Sequence, residues 1–348
     1  MGGAGGLRRA VVLGVLLVGA AQGADGATGT QRVYATAHHP ALHTSSCDRH
    51  CVRVRTIRYR THGGYRRNAY VVYPAWYRPG HNPRIPLVIS PHGRGVTAWS
   101  NVIRWGRLPA FGGFAVVNPE GQGRRLRLHS WGYAGQVADL ARMPKIVSGA
   151  LPWLRIDRGH VYAWGTSMGA QETLLLVARY PHLLAGAAAF DAVTDMARRY
   201  RDFPRVPCAR RCSHRWAPGR ALQSLARLEI GGTPRTAHGA YTRRSPIASV
   251  RRIARSGVPL QLWWSRADRI VVDQERHSVR LLSAIRRLNP RADVRAFPGK
   301  WRHSAEMSSH YALRRSLEEF GLIAKRGVGD PPPPEPPPGP PTPPPPPE

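Results

Sequence analysis

Residues 160–180 read HVYAWGTSMGAQETLLLVARY, the most informative stretch of the chain. An apolar run ends in GTSMG at 165–169, which fits the pattern Gly-x-Ser-x-Gly, and an apolar pattern with helical spacing follows at once. A serine on a sharp strand-to-helix turn exposes its Oγ above a sheet, and the flanking glycines prevent collisions with neighbouring backbone. The stretch therefore predicts a nucleophile, Ser167, at the carboxyl end of a buried strand.

A serine that attacks an acyl group creates an oxyanion, which needs two N–H donors. The first donor is predicted at the Met168 backbone, where the positive end of the helix also points at the site. The second is predicted in the loop PHGRG at 91–95, which follows a buried apolar run. We expect the Arg94 backbone to donate there, with Gly93 as the alternative, and an ordinary glycine-rich turn remains the competing interpretation.

A serine hydroxyl is a weak nucleophile, so it needs a base that is oriented by a carboxylate. In a doubly wound sheet with this turn, the acid and then the histidine follow the serine along the chain. Asp268 comes just after a buried apolar strand and is the predicted acid. Asp191, which also follows a strand, and Asp273 are its competitors.

The predicted base is His303. It lies in PGKWRH at 298–303, a loop between the last predicted strand and the closing helix. His277 and His310 fall inside predicted helices, where a solvated helix face is the expected position. A surface histidine without a catalytic role is the alternative for His303.

Short apolar runs alternate with amphipathic stretches along the rest of the chain, which predicts a doubly wound, mostly parallel α/β sheet covered on both faces. Residues 52–59 alternate apolar and basic side chains, as a half-exposed strand does, and a Gly-Gly turn at 63–64 separates them from the apolar residues 69–73. The two segments are therefore expected to form an antiparallel edge of the sheet. An irregular, basic, lid-like insert is predicted at about 194–244. The predicted strands are 52–59, 69–73, 86–90, 114–118, 160–164, 186–190, 259–264 and 294–297. The predicted helices are 136–154, 168–180, 246–255, 273–288 and 308–320.

The two ends have a different composition from the body. Arg8 and Arg9 precede an apolar run at 10–20, so residues 1–24 are predicted to be a secretory signal peptide. Residues 331–348 are almost entirely proline, which predicts an extended tail without helix or sheet. The folded domain is expected at 44–326.

Four cysteines form two Cys-x-x-x-Cys pairs, Cys47 with Cys51 and Cys208 with Cys212. In an exported protein an even number of cysteines favours disulfides, and we expect two local bridges. Other pairings of the four are possible. A single four-thiolate zinc site is the competing interpretation, and it requires both pairs to meet in space.

The chain of 348 residues has 52 Lys and Arg against 20 Asp and Glu, a formal charge of +32, and all but three of the bases are arginine. The arginines are scattered along the chain and not clustered, which favours codon bias over a polyanion-binding segment as the origin of the high charge. Because no nucleic-acid-binding motif is present, we expect no nucleic-acid partner. Contact with an anionic cell envelope is possible, and no membrane insertion is expected after removal of the signal.

The ordered set of His92-Gly93, the turn at 165–169, Asp268 and His303 resembles the α/β-hydrolase superfamily over residues 53–322. Within it the chain is most similar to secreted esterases and to the catalytic domain of prolyl-oligopeptidase-type, S9-like, serine peptidases. The resemblance implies a Ser167 nucleophile, a His303 base, an Asp268 orienting group, and no metal or organic cofactor.

The expected activity is therefore hydrolysis of a small-molecule or polymer carboxylic ester through an acyl-enzyme by a secreted protein. A serine peptidase is the second hypothesis, and a non-catalytic basic protein that binds the cell envelope is the third. Arginines of the insert are expected to attract an anionic substrate. Trp131, Trp164 and Trp301 are candidates for lining the site, with plain core positions as the alternative.

Overall fold

The computed structural model describes residues 51–121, 131–207, 218–304 and 311–325. At its centre is an eight-stranded sheet with the order β1-β2-β4-β3-β5-β6-β7-β8. Strands β1 and β2 are antiparallel to their neighbours, and β3 to β8 run parallel. The predicted mostly parallel sheet with an antiparallel edge is confirmed. The strands are β1 Val52–Arg60, β2 Arg66–Pro74, β3 Ile85–Ile89, β4 Ala115–Pro119, β5 Ile156–Thr166, β6 Gly186–Phe190, β7 Leu260–Ser265 and β8 Val294–Gly299.

Helices cover both faces of the sheet. Apolar side chains of α3, α4, α8 and α9 form one core with the sheet, and those of α1, α2 and α10 form a second core on the other face. The helices in the described part of the chain are α1 Ala98–Trp105, α2 Leu108–Gly112, α3 Ala134–Ala150, α4 Met168–Arg179, α5 Met196–Asp202, α6 Pro218–Ile230, α7 His238–Arg243, α8 Val250–Ala254, α9 Ser278–Leu288 and α10 Tyr311–Glu319.

The central strands are apolar on both sides because their side chains pack into the cores on both faces of the sheet. In β3, Leu87 and Ile89 belong to one core and Val88 to the other, and all three are fully buried. A strand buried on both faces reads as a continuous apolar run instead of an alternating one. This is why the sequence pattern located the inner strands.

Three local features differ from the sequence-based expectation. The insert, expected to be irregular, contains α5, α6 and α7 in its described residues, while residues 208–217 lie outside them. Helices α1 and α2 were not predicted, although Thr97 and Ser100 form a capping box at the start of α1. The predicted helix at 273–288 is broken at His277, between a short 3₁₀ turn and α9.

Several predictions about the ends and the cysteines fall outside the described residues. These are the signal at 1–24, the tail at 331–348, Cys47, Cys208 and Cys212. The remaining cysteine, at the start of β1, is buried, and the disulfide pairing stays a prediction. Among the described helices, none has the length and apolar character needed to cross a bilayer.

The turn between β5 and α4 has no room for a side chain at Gly169, because a Cβ there would overlap the Pro91 carbonyl oxygen. We expect Gly169→Ala to lower the free energy of unfolding by about 2 kcal/mol or more, since backbone must shift to accept the methyl group. Urea denaturation measures the change.

Gly149→Ala in α3 is the matched control, because a Cβ at 149 meets no atom within 4 Å. Alanine there should leave stability unchanged or raise it by about 0.5–1 kcal/mol. Equal effects of the two substitutions would contradict the steric explanation for Gly169.

Candidate active site

Ser167 lies between β5 and α4 with φ 54° and ψ −117°, a backbone conformation that non-glycine residues rarely adopt. Its N–H donates to the Phe190 carbonyl at 2.8 Å, which ties the turn to the end of β6. A Cβ at Gly165 would overlap the backbone of Gly169, so both flanking glycines are required by the close approach. Ser167 itself is half-buried, so it is accessible from outside.

The His303 ring and the Asp268 carboxylate form a direct contact, with Nδ1 and Oδ2 2.7 Å apart. Asp268 Oδ1 accepts hydrogen bonds from the N–H groups of Ile270 at 2.8 Å and Val271 at 2.9 Å. Gln274 Nε2 donates to Oδ2 at 3.2 Å. The Asp268 side chain is 1% exposed and that of His303 is 15% exposed. The buried carboxylate thus fixes the ring and leaves Nε2 as the nitrogen that can take a proton.

A second buried carboxylate, Asp191, lies just beyond β6 in the same cluster. Its Oδ1 accepts from Ser265 N at 2.8 Å, and its Oδ2 accepts from Ser304 N at 2.7 Å and Trp301 Nε1 at 3.0 Å. Burial, assisted by the nearby charge of Asp268, raises the pKa of Asp191 to about 6. Asp191 therefore joins the ends of β6 and β7 to the loop that carries the histidine.

Ligand atoms of Asp191, Asp268 and His303 lie within 4.8 Å of one another, close enough to surround a metal ion. Each carboxylate already accepts hydrogen bonds from several N–H donors of the protein. A cation at this place would have to displace those donors. The arrangement fits an acid–base pair supported by N–H groups better than a metal centre.

Arg199 in α5 supplies a buried positive charge beside the acid-bearing loop. Its guanidinium donates to the Ile270 carbonyl and lies 4.4 Å from the centre of the Phe203 ring. Burial lowers the pKa of Arg199 to about 10, although the charge of Asp268 opposes that shift. An arginine of the insert therefore supports the loop that holds the predicted acid.

The predicted oxyanion loop rests directly against the serine turn, because its Pro91 carbonyl occupies the space beside Gly169. The buried His92 ring holds the loop, with Nδ1 2.9 Å from the Gly93 carbonyl and Nε2 3.2 Å from the Glu120 carbonyl. Burial lowers the pKa of His92, so the ring is neutral and donates one of these two hydrogen bonds.

The Arg94 side chain binds the insert. Its Nη1 lies 3.4 Å from Glu229 Oε1 of α6, and the two side chains are 8% and 1% exposed. The guanidinium also lies 5.1 Å from the centre of the Trp131 ring. The backbone N–H of Trp131 donates a hydrogen bond to the Met168 sulfur at 3.3 Å. The insert thus contacts Arg94 through Glu229, and Met196, Phe203 and Ala226 of the insert share an apolar cluster with Met168. Sequence reasoning missed Glu229, since a lone glutamate in a helix gives no signal of this contact.

Two residues have different surroundings from those expected. Trp164 does not line the site: it is fully buried in the core with α10 and donates from Nε1 to Ser316 Oγ at 2.8 Å. His277 is not on a solvated helix face. It is fully buried, its Nδ1 accepts from Thr194 N at 3.3 Å, and burial lowers its pKa to about 3. His277 is therefore a neutral core residue.

The other candidates from the sequence are placed as follows. Asp273 forms ion pairs with Arg198 at 3.4 Å and Arg276 at 3.1 Å, in place of a contact with the predicted base. His310 lies outside the described residues. Of the three candidate acids, Asp268 is the one that contacts the ring of His303 within hydrogen-bond distance.

The structure is similar to solved structures of several hydrolases. Pyrococcus horikoshii acylaminoacyl peptidase matches 79% of this chain and 43% of its own, with a TM-score of 0.59 and 14% identity. Brefeldin A esterase, a bacterial homologue of human hormone-sensitive lipase, matches 78% of this chain and 75% of its own, with a TM-score of 0.55 and 17% identity. Staphylococcus aureus S-formylglutathione hydrolase matches 78% of this chain and 99% of its own chain, with a TM-score of 0.54 and 14% identity.

The chain spans less than half the length of the acylaminoacyl peptidase and 35% of a putative dipeptidyl aminopeptidase IV from Bacteroides ovatus. No protein-family model matches the chain, and no curated protein matches it. At these identities the structural similarity establishes the fold. The chain has the α/β-hydrolase fold, as its motifs predicted.

The buried Glu229 makes stability depend on pH. Burial raises its pKa from 4.5 to about 7, against the opposing charge of Arg94. Between these values the folded state keeps a proton that the unfolded state releases, so this contribution to stability is lost as pH rises. Relative to Glu229→Gln, the wild type should lose about 2 kcal/mol of unfolding free energy over that interval. Urea denaturation across the interval measures it.

Glu275→Gln is the matched control at an exposed glutamate. A difference between wild type and Glu229→Gln that stays constant over the whole interval would contradict the assigned burial of the carboxyl group. A difference that grows as pH rises, with the wild type gaining stability, would contradict the sign.

Proposed function

We propose that the chain is a secreted serine hydrolase that cleaves carboxylic esters with Ser167, His303 and Asp268. The observation that carries the proposal is the 2.7 Å contact between His303 Nδ1 and the buried Asp268 carboxylate, at the same sheet edge as the strained Ser167 turn. The similarity in fold to esterases and peptidases supports hydrolysis as the reaction class. The apolar run near the N-terminus supports secretion.

The reaction proceeds in two steps. Ser167 Oγ attacks the ester carbonyl carbon while His303 Nε2 takes the hydroxyl proton, and that proton then goes to the departing alcohol. Water attacks the acyl-enzyme with His303 again as the base, which releases the carboxylic acid and restores the serine. Asp268 holds the ring in the tautomer with hydrogen on Nδ1 and stabilises the imidazolium that forms in each step.

The backbone N–H groups of Met168 and Arg94 stabilise the oxyanion in both steps. Three observations support this part of the proposal. Met168 begins α4, the loop of Arg94 lies against the serine turn, and the Arg94–Glu229 contact holds that loop. Donors that are fixed before the reaction stabilise developing charge without reorganisation, which is the main source of rate enhancement in such sites.

Peptide hydrolysis is the second candidate, favoured by the similarity to acylaminoacyl peptidase over 79% of this chain. The same three residues would act on an amide. A comparison of kcat/KM for 4-nitrophenyl esters and for peptide 4-nitroanilides separates the two. We expect kcat/KM to be higher for the esters, by a factor larger than the difference between the two substrates in intrinsic chemical reactivity.

A fluorophosphonate probe tests the nucleophile, because an activated serine displaces its fluoride and becomes phosphonylated. We expect wild type to be labelled and Ser167→Ala to remain unlabelled and inactive. Ser224→Ala, at an exposed serine of α6, is the control that should keep full labelling. Failure of the folded wild type to react, or labelling that survives in Ser167→Ala, would refute the proposed function.

Exchange of each buried carboxylate for an amide tests which one orients the base. Asp268→Asn should lower kcat for a 4-nitrophenyl ester about 10³–10⁴-fold, because the amide favours the wrong tautomer of His303. Asp191→Asn should lower it about tenfold or less, since Asp191 binds the Ser304 N–H and not the ring. Steady-state kinetics of both variants decide the point, and a larger loss in Asp191→Asn would reverse the assignment.

A further inference from the structure

The two loops that carry Asp268 and His303 also carry exposed basic side chains. Arg266 and Arg269 flank Asp268, and Lys300 and Arg302 lie in the loop that ends at the histidine; all four are exposed. The loops run side by side, since the Arg266 N–H donates to the Gly299 carbonyl at 2.9 Å. We call these four residues the basic rim.

The charges of the basic rim are not balanced locally. None of its four residues has an ion-pair partner among the residues that the structure describes. Two carboxylates lie in or against the stretches 265–271 and 299–304, Asp268 and Asp191, and both are buried and accept hydrogen bonds from the protein. The rim therefore presents a positive field beside the proposed catalytic residues.

The insert, where sequence reasoning placed the substrate-attracting charge, uses several of its arginines internally. Arg198 is paired with Asp202 and Asp273, each at 3.4 Å, and Arg205 is paired with Asp202 at 3.3 Å. Arg199 is buried. These contacts engage three arginines of the insert, whereas none of the four residues of the basic rim has an ion pair in the described part of the chain.

We propose that the substrate is an ester that bears a negative group, a carboxylate or a phosphate, and that the basic rim binds this group. Guanidinium groups bind carboxylate and phosphate through paired N–H donors, and a local excess of positive charge raises the encounter rate with anions. This inference rests on the proposed esterase function and adds the substrate class to it. The anion is carried by the acyl part or by the alcohol part of the ester.

Two pairs of synthetic esters test both possibilities. 4-Nitrophenyl hemisuccinate carries its carboxylate on the acyl part, and its methyl ester is the neutral partner. 4-Acetoxybenzoate carries its carboxylate on the alcohol part, with methyl 4-acetoxybenzoate as the neutral partner. The measured quantity is the ratio of kcat/KM for the anionic ester to that for its neutral partner. We expect at least one ratio to exceed one at low salt and to fall as salt is added.

The variant Arg266→Gln/Arg269→Gln/Arg302→Gln should lower that ratio about tenfold, since each exposed charge contributes a factor of about two. Its ratio should also become nearly independent of salt. The matched control is Arg53→Gln/Arg58→Gln/Arg60→Gln, three exposed arginines of β1 at the opposite edge of the sheet. Seven strand spacings, about 33 Å, separate β1 from β8, well beyond the screening length. The control removes the same net charge and should keep the wild-type ratio.

The outcomes separate this inference from the proposed function. If neutral esters are hydrolysed but neither ratio responds to the rim variant or to salt, the substrate class is wrong and the esterase function stands. If the control lowers the ratio as much as the rim variant, net charge and not the rim is responsible, and the inference is overturned. If no ester is hydrolysed and Ser167 does not react with the fluorophosphonate, both fail. Thermal unfolding of each variant verifies that it is folded.

Discussion

The contact between Gly169 and the Pro91 carbonyl is the constraint on which the arrangement of the site depends. It lets the loop after β3 lie directly against the turn after β5, so the predicted oxyanion donors and the predicted nucleophile lie close together. The same closeness holds Ser167 in a left-handed conformation that a freer turn would leave. Packing of α4 into the core, where 11 of its residues are buried, keeps the turn in this state.

The carboxyl edge of the sheet also buries several charged side chains together. Asp191, Asp268, Arg199 and the partly buried His303 lie at the carboxyl edge of the sheet, where backbone N–H groups at strand ends are free to donate. Desolvation disfavours the charges of Asp191 and Arg199, which raises the pKa of Asp191 and lowers the pKa of Arg199. Hydrogen bonds and opposite charges offset that cost, and the result is a rigid support for the imidazole.

The insert has a structural part in the candidate site. Its helices share an apolar cluster with Met168 and Trp131, and its Glu229 reaches the side chain of Arg94. A change in the insert is therefore expected to alter the geometry of the predicted oxyanion donors. The basic rim belongs to different loops, those after β7 and β8, so the proposed binding of substrate charge and the predicted oxyanion donors involve separate parts of the chain.

The sequence by itself determined the features that depend on local chemistry: the Gly-x-Ser-x-Gly turn, the apolar inner strands and the chain order of Ser167, Asp268 and His303. Such features are visible because a tight turn or a strand buried on both faces restricts the residues at each position. Only the tertiary structure showed that the His303 ring contacts Asp268 and not Asp191, that His277 is buried, that Trp164 lies in the core with α10 and that Arg94 contacts Glu229. These outcomes depend on how distant segments pack across the parallel strands, and a contact between residues 35 to 152 positions apart leaves no mark on the local pattern.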